Sequence, residues 1–358
     1  MSIYRNATTA LVEYLEQIEQ DDFSAYNHLS GNGVVESFES TLKDFYGVKY
    51  ALCVDSATNA LMYLALAVGL KNKEIVTSPL SYGATISGAL WLNNKFHFAD
   101  IDNSLNIAPE SVKKIIKGNP KIKALYAVDF AGIPHDMHSI RQICDEFGVW
   151  YFADAAQSLG AEVGRMKASS LADAFVVSFS PGKTIFCGEG ACILTNDSEL
   201  YKRLVSITQH PYRIKKDVSL GASSELGLNG RMNPLSAIVG NAMFDESLQR
   251  LKQKQIEILN MYNSIDKFHF VTPFHFEKKN SLPSFFHLPL LINDLQEFER
   301  ESKQFLMTAP SKCHFRKSAF ELLPEQLKRM GKSRIVLSIH TQQTSSLIEK
   351  LFLGTFHI

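Results

Sequence analysis

Three stretches place complementary chemistry where apolar runs give way to polar residues. Residues 55–61 read DSATNAL, residues 151–161 read YFADAAQSLGA, and residues 175–197 read FVVSFSPGKTIFCGEGACILTND. In the first, small and hydroxyl side chains open a helix. Its first-turn N–H groups are free to meet an anion, which the helix dipole also favours. Ser56, Ala57 and Thr58 would form that cradle, or Asp55 or Ser56 simply caps the helix. In the second, Asp154 ends an apolar strand and Gln157 follows three residues later. The carboxylate could pair with a cationic ring nitrogen and the amide could hydrogen-bond a phenolic oxygen of the same ligand. The plainer alternative is a strand-end Asp that caps the next turn. In the third, Ser178 lies in a strand and Lys183 in a Ser-Pro-Gly-Lys turn between two apolar strands, with Gly188 and Gly190 beyond it. Most lysines are solvated surface groups. One held over a sheet edge is desolvated, its pKa falls, and the neutral amine can form a Schiff base with an aldehyde.

Together the three describe the needs of one cofactor. Pyridoxal phosphate requires an amine for its aldehyde, a carboxylate that keeps its pyridine nitrogen protonated, and an anion cradle for its phosphate. Tyr82, in SYGAT, follows another strand end and could stack on such a ring, or be a surface loop tyrosine. His135 and His138 are spaced like metal ligands but lack a partner set, so no metal site is expected. Cys187 and Cys192 read as small buried residues. The basic-aromatic stretch QHPYRIKK at 209–216 could meet an anionic substrate group or be a solvated loop.

The elements that must position these groups alternate along the chain. KYALCVDS, EIVTSP, KFHFADI, IKALYAVDF, VWYFADA, AFVVSFS and EGACILTN have the apolar character of strands. Helical periodicity lies between most of them, as in VVESFESTLKDFYG closed by Gly47, ATNALMYLALAVGL closed by Gly69, and DMHSIRQICDEFG. Such alternation predicts an α/β domain with a mostly parallel central sheet flanked by helices, whose ligand sites lie at the carboxyl ends of the strands. From about residue 235 a long amphipathic helix leads into a smaller α+β part. There FHLPLLI and SRIVLSI read as strands, TSSLIEKLF as a last helix, and the Phe-rich FHFVTPFHF and PSFFHLPLL as core strands. The expected division is residues 1–29 as an N-terminal arm and helix, 30–240 as the large domain, and 241–358 as the linking helix and small domain.

Composition narrows the function classes. The 358 residues hold 37 Lys+Arg and 37 Asp+Glu, so no basic footprint for nucleic acid exists. No apolar run approaches the roughly eighteen residues of a membrane span. Five cysteines, odd and sparse, argue against a disulfide framework and for a reducing cytoplasm. Near-zero net charge suits self-association.

From about residue 30 to 240 the sequence resembles the DegT/StrS-type sugar aminotransferases, pyridoxal-phosphate enzymes of fold type I. SGNGVVESFE is similar to that family's entry motif, DSATNAL to its phosphate turn, SYGAT to its Thr-Phe-x-Ala-Thr, and FADID to its Phe-x-Asp-x-Asp. DFAGIPHDM, FADAAQSLGA, the Schiff-base block around Lys183 and GLNGRMNPLSAIVG follow in the family's order. The resemblance implies that Lys183 holds the cofactor and shuttles protons, Asp154 pairs with the pyridine nitrogen, and Gln157 contacts the ring hydroxyl. Ala57 and Thr58, helped by Ser178, would bind phosphate, and Tyr82 would stack on the ring. Asn229 would reach a partner subunit's phosphate, so a homodimer with shared active sites is implied. Arg231 would orient a carboxylate or brace its turn. The implied reaction moves an amino group from an amino acid, L-glutamate, to a keto sugar linked to a nucleotide. Alternatives are a small phosphorylated ketone or cyclitol as acceptor, a sugar dehydratase, or a silent homologue. Departures include Ala57 in place of glycine, Asp129 where histidine is frequent, and a shorter C-terminal part in which KCHFRKSAF is a faint match to a histidine-containing segment.

Overall fold

Apolar strands bounded by small polar turns build the frame that the alternation predicts. The computed structural model describes residues 4–19, 29–102, 104–218, 227–265, 271–273, 280–292, 313–316 and 351–356. Helices α1 (Arg5–Glu19) and α2 (Val34–Tyr46) precede β1 (Tyr50–Val54) and α3 (Ala57–Ala67). Next come β2 (Glu74–Thr77), α4 (Ala84–Trp91), β3 (Lys95–Phe98), α5 (Pro109–Gly118) and β4 (Ile122–Val128). A single 3-10 turn, Phe130–Gly132, leads to α6 (Met137–Phe147) and β5 (Trp150–Asp154). Short strands β6 (Glu162–Val163) and β7 (Met166–Lys167) precede β8 (Ala174–Ser178) and β9 (Ala191–Thr195). Helices α7 (Ser198–Thr208), α8 (Pro211–Val218) and α9 (Pro234–Ile265) follow.

The main sheet has seven strands in the order β1-β9-β8-β5-β4-β2-β3. Strands β3, β2, β4, β5 and β8 are parallel neighbours, and β9 runs antiparallel to both β8 and β1. The mostly parallel, mixed sheet therefore has one reversed strand, EGACILTN. Both faces are covered, as a mostly parallel sheet requires. One face packs Phe38 and Leu42 of α2, Ile116 of α5, Ile140 of α6 and Phe244 of α9. The other packs Leu61 and Leu64 of α3, Ile86 of α4 and Leu204 of α7. Alternation along β1 sends Leu52 and Val54 to one core and Ala51 and Cys53 to the other. No helix among the described residues is long and apolar enough to cross a membrane.

Helix α9 runs unbroken through residue 240, where the sequence reading divides large and small domains. Beyond it lie β10 (Val271–Pro273), β11 (Ser281–Leu282), β12 (His287–Ile292), β13 (Cys313–Arg316) and β14 (Leu351–Phe356). Four of these form an antiparallel sheet in the order β10-β12-β14-β13, while β11 joins β6 and β7. The expected helix TSSLIEKLF is corrected at its end. Leu351 and Phe352 belong to β14, whose backbone pairs with β12 and β13, because ladder bonds override a short helical pattern. The expected strand SRIVLSI lies outside the described residues.

Candidate active site

The carboxyl ends of β1, β2, β5 and β8 lie along one edge of the sheet, and each carries an expected site residue. Past β1, Ser56 caps α3: its Oγ accepts from Asn59 N at 3.2 Å. The N–H groups of Ala57 and Thr58 have no acceptor among the described residues. Ser56 thus serves the helix as its cap, and the next two donors are unspent. Asp55 is turned inward, accepting from Asn59 Nδ2 at 2.6 Å and from the Tyr63 hydroxyl at 3.2 Å. A Cβ on Gly88 of α4 would lie 2.8 Å from Thr58 O, so only glycine lets α4 pack this close to the start of α3.

At the end of β5, Asp154 is buried. Its Oδ2 accepts from Thr85 Oγ1 at 2.6 Å and its Oδ1 from Ala156 N at 3.1 Å. Burial raises its pKa above the usual carboxylate range. Thr85, Ala156 and the Lys183 charge pull the other way. Lys183, half-buried past β8, is shifted below the usual lysine range, again by burial first, with Asp154 opposing. Each group acts on the other's ionisation, which places amine and acid in one field. The Phe286 ring centroid lies 4.5 Å from Lys183 Nζ.

Gln157 is buried and its Oε1 accepts from Ala131 N at 2.8 Å. Its Nε2 has no acceptor among the described residues, so it is left to donate. Ala131 holds φ at +57°, a strained conformation for a side chain other than glycine. Ser178 is buried with Oγ 3.1 Å from Ser180 Oγ. Tyr82 is 62% exposed, and its carbonyl accepts from Thr85 N at 3.0 Å. Asn229 is exposed in left-handed backbone (φ +52°). Its neighbours attach to β1: Gly230 O accepts from Asp55 N at 3.0 Å and Arg231 bridges Val54. Arg231 Nε donates to Asn229 Oδ1 at 2.7 Å, so Arg231 braces the turn.

These donors fit pyridoxal phosphate: two unspent N–H groups at a helix start, a buried acid, an amine tipped toward neutral, and a free amide N–H. A bound group would supply the reactive aldehyde and an electron-withdrawing ring.

One sequence reading changes. Residues 209–216 are not a loop, and although Tyr212, Lys215 and Lys216 are exposed, Arg213 is not solvated. Most of them form α8, and buried Arg213 pairs with Glu39 of α2 through two bonds, at 2.7 and 3.1 Å. His135 serves a buried network. Its Nδ1 meets Asp129 Oδ1 at 2.6 Å and its Nε2 meets the Tyr151 hydroxyl. Ser158 and Ser169 each donate to Asp129 Oδ2 at 2.6 Å. Burial alone would raise Asp129, but His135 and the serines outweigh it and hold the acid below its ordinary range. His138 points away on an exposed helix face. Sequence reasoning missed Thr85, Ala131 and Phe286. SYGAT contains Thr85, but nothing local marks its partner.

The chain's similarities agree with this geometry. The model of the DegT/DnrJ/EryC1/StrS aminotransferase family matches residues 13–335. A UDP-4-amino-4,6-dideoxy-N-acetyl-beta-L-altrosamine transaminase of Campylobacter jejuni is 31% identical over 261 residues, 71% of this chain and 69% of the relative. The Helicobacter pylori transaminase of the same description is 33% identical over 66% of this chain and 64% of its own length. The matched region thus spans about two thirds of these curated relatives. The solved structure of Helicobacter pylori PseC, an aminotransferase involved in the biosynthesis of pseudoaminic acid, superposes with a TM-score of 0.78 at 25% identity, covering 99% of this chain and 91% of that one.

Proposed function

The chain belongs to the DegT/DnrJ/EryC1/StrS aminotransferase family, and on that premise we propose that it moves an amino group from L-glutamate to a nucleotide-linked keto sugar, with pyridoxal phosphate as cofactor. The observation that carries this reading is the placing of buried Asp154 at the end of β5 and half-buried Lys183 past the end of its parallel neighbour β8.

Each side chain has a distinct task. Lys183 Nζ would hold the aldehyde. As a neutral amine it can take the donor's α-proton and return a proton on the acceptor side. Asp154 accepts a ring N–H and keeps that nitrogen cationic. Gln157 Nε2 donates to the ring oxygen. The Ala57 and Thr58 N–H groups bind phosphate with help from Ser178, and Tyr82 covers a ring face. Asn229 completes a neighbouring subunit's phosphate site in a homodimer. The keto-sugar acceptor follows from the names of the relatives, and amino-sugar assembly for surface glycans in the cytoplasm is the matching context.

Borohydride reduction of the cofactor-loaded protein, followed by peptide mapping, should tag Lys183. Lys183→Ala should lose both the tag and glutamate-dependent amination. A tag at another residue, or undiminished turnover in the variant, would overturn the assignment. A panel of UDP-linked keto sugars against small phosphorylated ketones tests the acceptor.

A further inference from the structure

Phe286 reaches Lys183 from a part of the chain that the cofactor-binding strands do not supply. Residues 281–287 return from beyond α9 and lie against the site as a clasped strap. Ser281 and Leu282 pair with β6. Gln255 Nε2 of α9 donates to Pro283 O at 2.8 Å. Ser284 N donates to Gly132 O at 2.9 Å and Ser284 Oγ to Gln157 O at 2.7 Å. Gly132, at φ +82°, leaves room for this clasp, since a Cβ there would collide with Ser284 Oγ. Phe285 is fully buried. With its neighbours so fixed, the Phe286 ring is delivered onto the amine.

We propose that Phe286 is a positioning residue for Lys183: its ring covers one face of the amine, excludes water from it and holds it over the sheet edge. The proposal rests on the reading of Lys183 as the amine that captures the aldehyde, because such an amine gains reactivity from a dry wall. An aromatic face also attracts an ammonium, which would act in the opposite direction. Burial is what holds Lys183 below the usual lysine range. On this proposal the ring's cover outweighs its attraction, so losing the ring should re-wet the amine and favour its charged form. Among the described residues, the titratable groups that face it are Asp154 at the end of β5 and, on the strap, His287, whose ring lies 4.6 Å from that of Phe286.

The test uses full-length, cofactor-free protein. Lys183 acetylation by acetic anhydride is followed against pH by mass spectrometry, with exposed Lys71 as internal reference. In Phe286→Ala the midpoint should rise by about one pH unit, leaving about tenfold less neutral amine at a given pH. Phe286→Leu keeps the apolar cover and should stay near the wild-type midpoint. Phe286→Gln carries the alanine expectation should the alanine variant not fold. Easier access would raise labelling equally at every pH, so the midpoint and not the plateau is read. An unmoved or lowered midpoint in a folded alanine or glutamine variant overturns the proposal, as does an equal rise in the leucine variant. Either failure leaves the Schiff-base role standing, because the borohydride tag tests that separately.

Discussion

Replacing Thr85 by valine removes one hydroxyl and keeps the side chain's shape. That hydroxyl donates to Asp154 Oδ2 at 2.6 Å, and both residues are buried. A hydrogen bond to a charged group contributes about 1.5–3 kcal/mol, against about 0.5–1.5 kcal/mol for a neutral one. Asp154 sits above the usual carboxylate range, and Thr85 is among the groups that limit the rise. In acid the residue is protonated both folded and unfolded, so no ionisation cost arises. Stability is lost as pH rises through the unfolded-state value toward the folded one. Valine raises the folded value further. The variant's deficit is therefore about 1.5–3 kcal/mol near neutral pH and shrinks to about 1 kcal/mol below roughly pH 4. At about 2.1 cal/mol/K per residue over 358 residues, the unfolding entropy is about 0.75 kcal/mol/K. The deficit should read as ~2–4 °C in melting temperature at neutral pH and ~1 °C in acid. Melting both proteins by circular dichroism across pH gives the difference directly. A deficit of the same size at every pH would refute the reasoning, because an uncharged contact carries no such dependence.

Arg213→Met leaves Glu39 a buried carboxylate without its bidentate partner and should cost about 3–5 kcal/mol in urea unfolding. Adding Glu39→Leu should recover most of the loss, and a single variant as stable as wild type would contradict the pairing. Asp129→Asn should cost about the same near neutral pH, since it removes the charge that His135, Ser158 and Ser169 converge on. Asp129 lies below its ordinary range, so its stabilisation holds above the unfolded-state value and is lost as pH falls through the folded one. The asparagine variant should thus show a flatter loss of stability in acid, and an unchanged acid slope would count against the network.

What could be read from the sequence was what is written locally. Ala57, Asp154, Ser178 and Lys183 each sit just past an apolar strand or at its end, and a parallel sheet sends such residues to its ligand edge. The groups that act on them come from far along the chain. Thr85 reaches Asp154 across 69 residues, and Arg213 reaches Glu39 across 174. These meetings depend on the crossover order β1-β9-β8-β5-β4-β2-β3, which periodicity does not encode. QHPYRIKK misled for the same reason. Arg213 looks as solvated as its exposed neighbours Lys215 and Lys216 until α2 supplies Glu39, and only then does burying it become tolerable. PSFFHLPLL likewise reads as plain core, and Ser284 and Phe285 are fully buried, but nothing local shows that Phe286 turns to the amine.

The missed residues share a further property. Thr85 acts on Asp154, Ala131 on Gln157, and Phe286 on Lys183. None is itself a proton carrier or a cofactor ligand in the proposed reaction. Each instead sets the charge, aim or wetness of a group that is. Substitutions at these positions should therefore move midpoints, pH limbs and positioning while leaving the kind of reaction intact. Substitution of Lys183 should remove the reaction itself. That difference in phenotype separates residues that carry the chemistry from those that tune it.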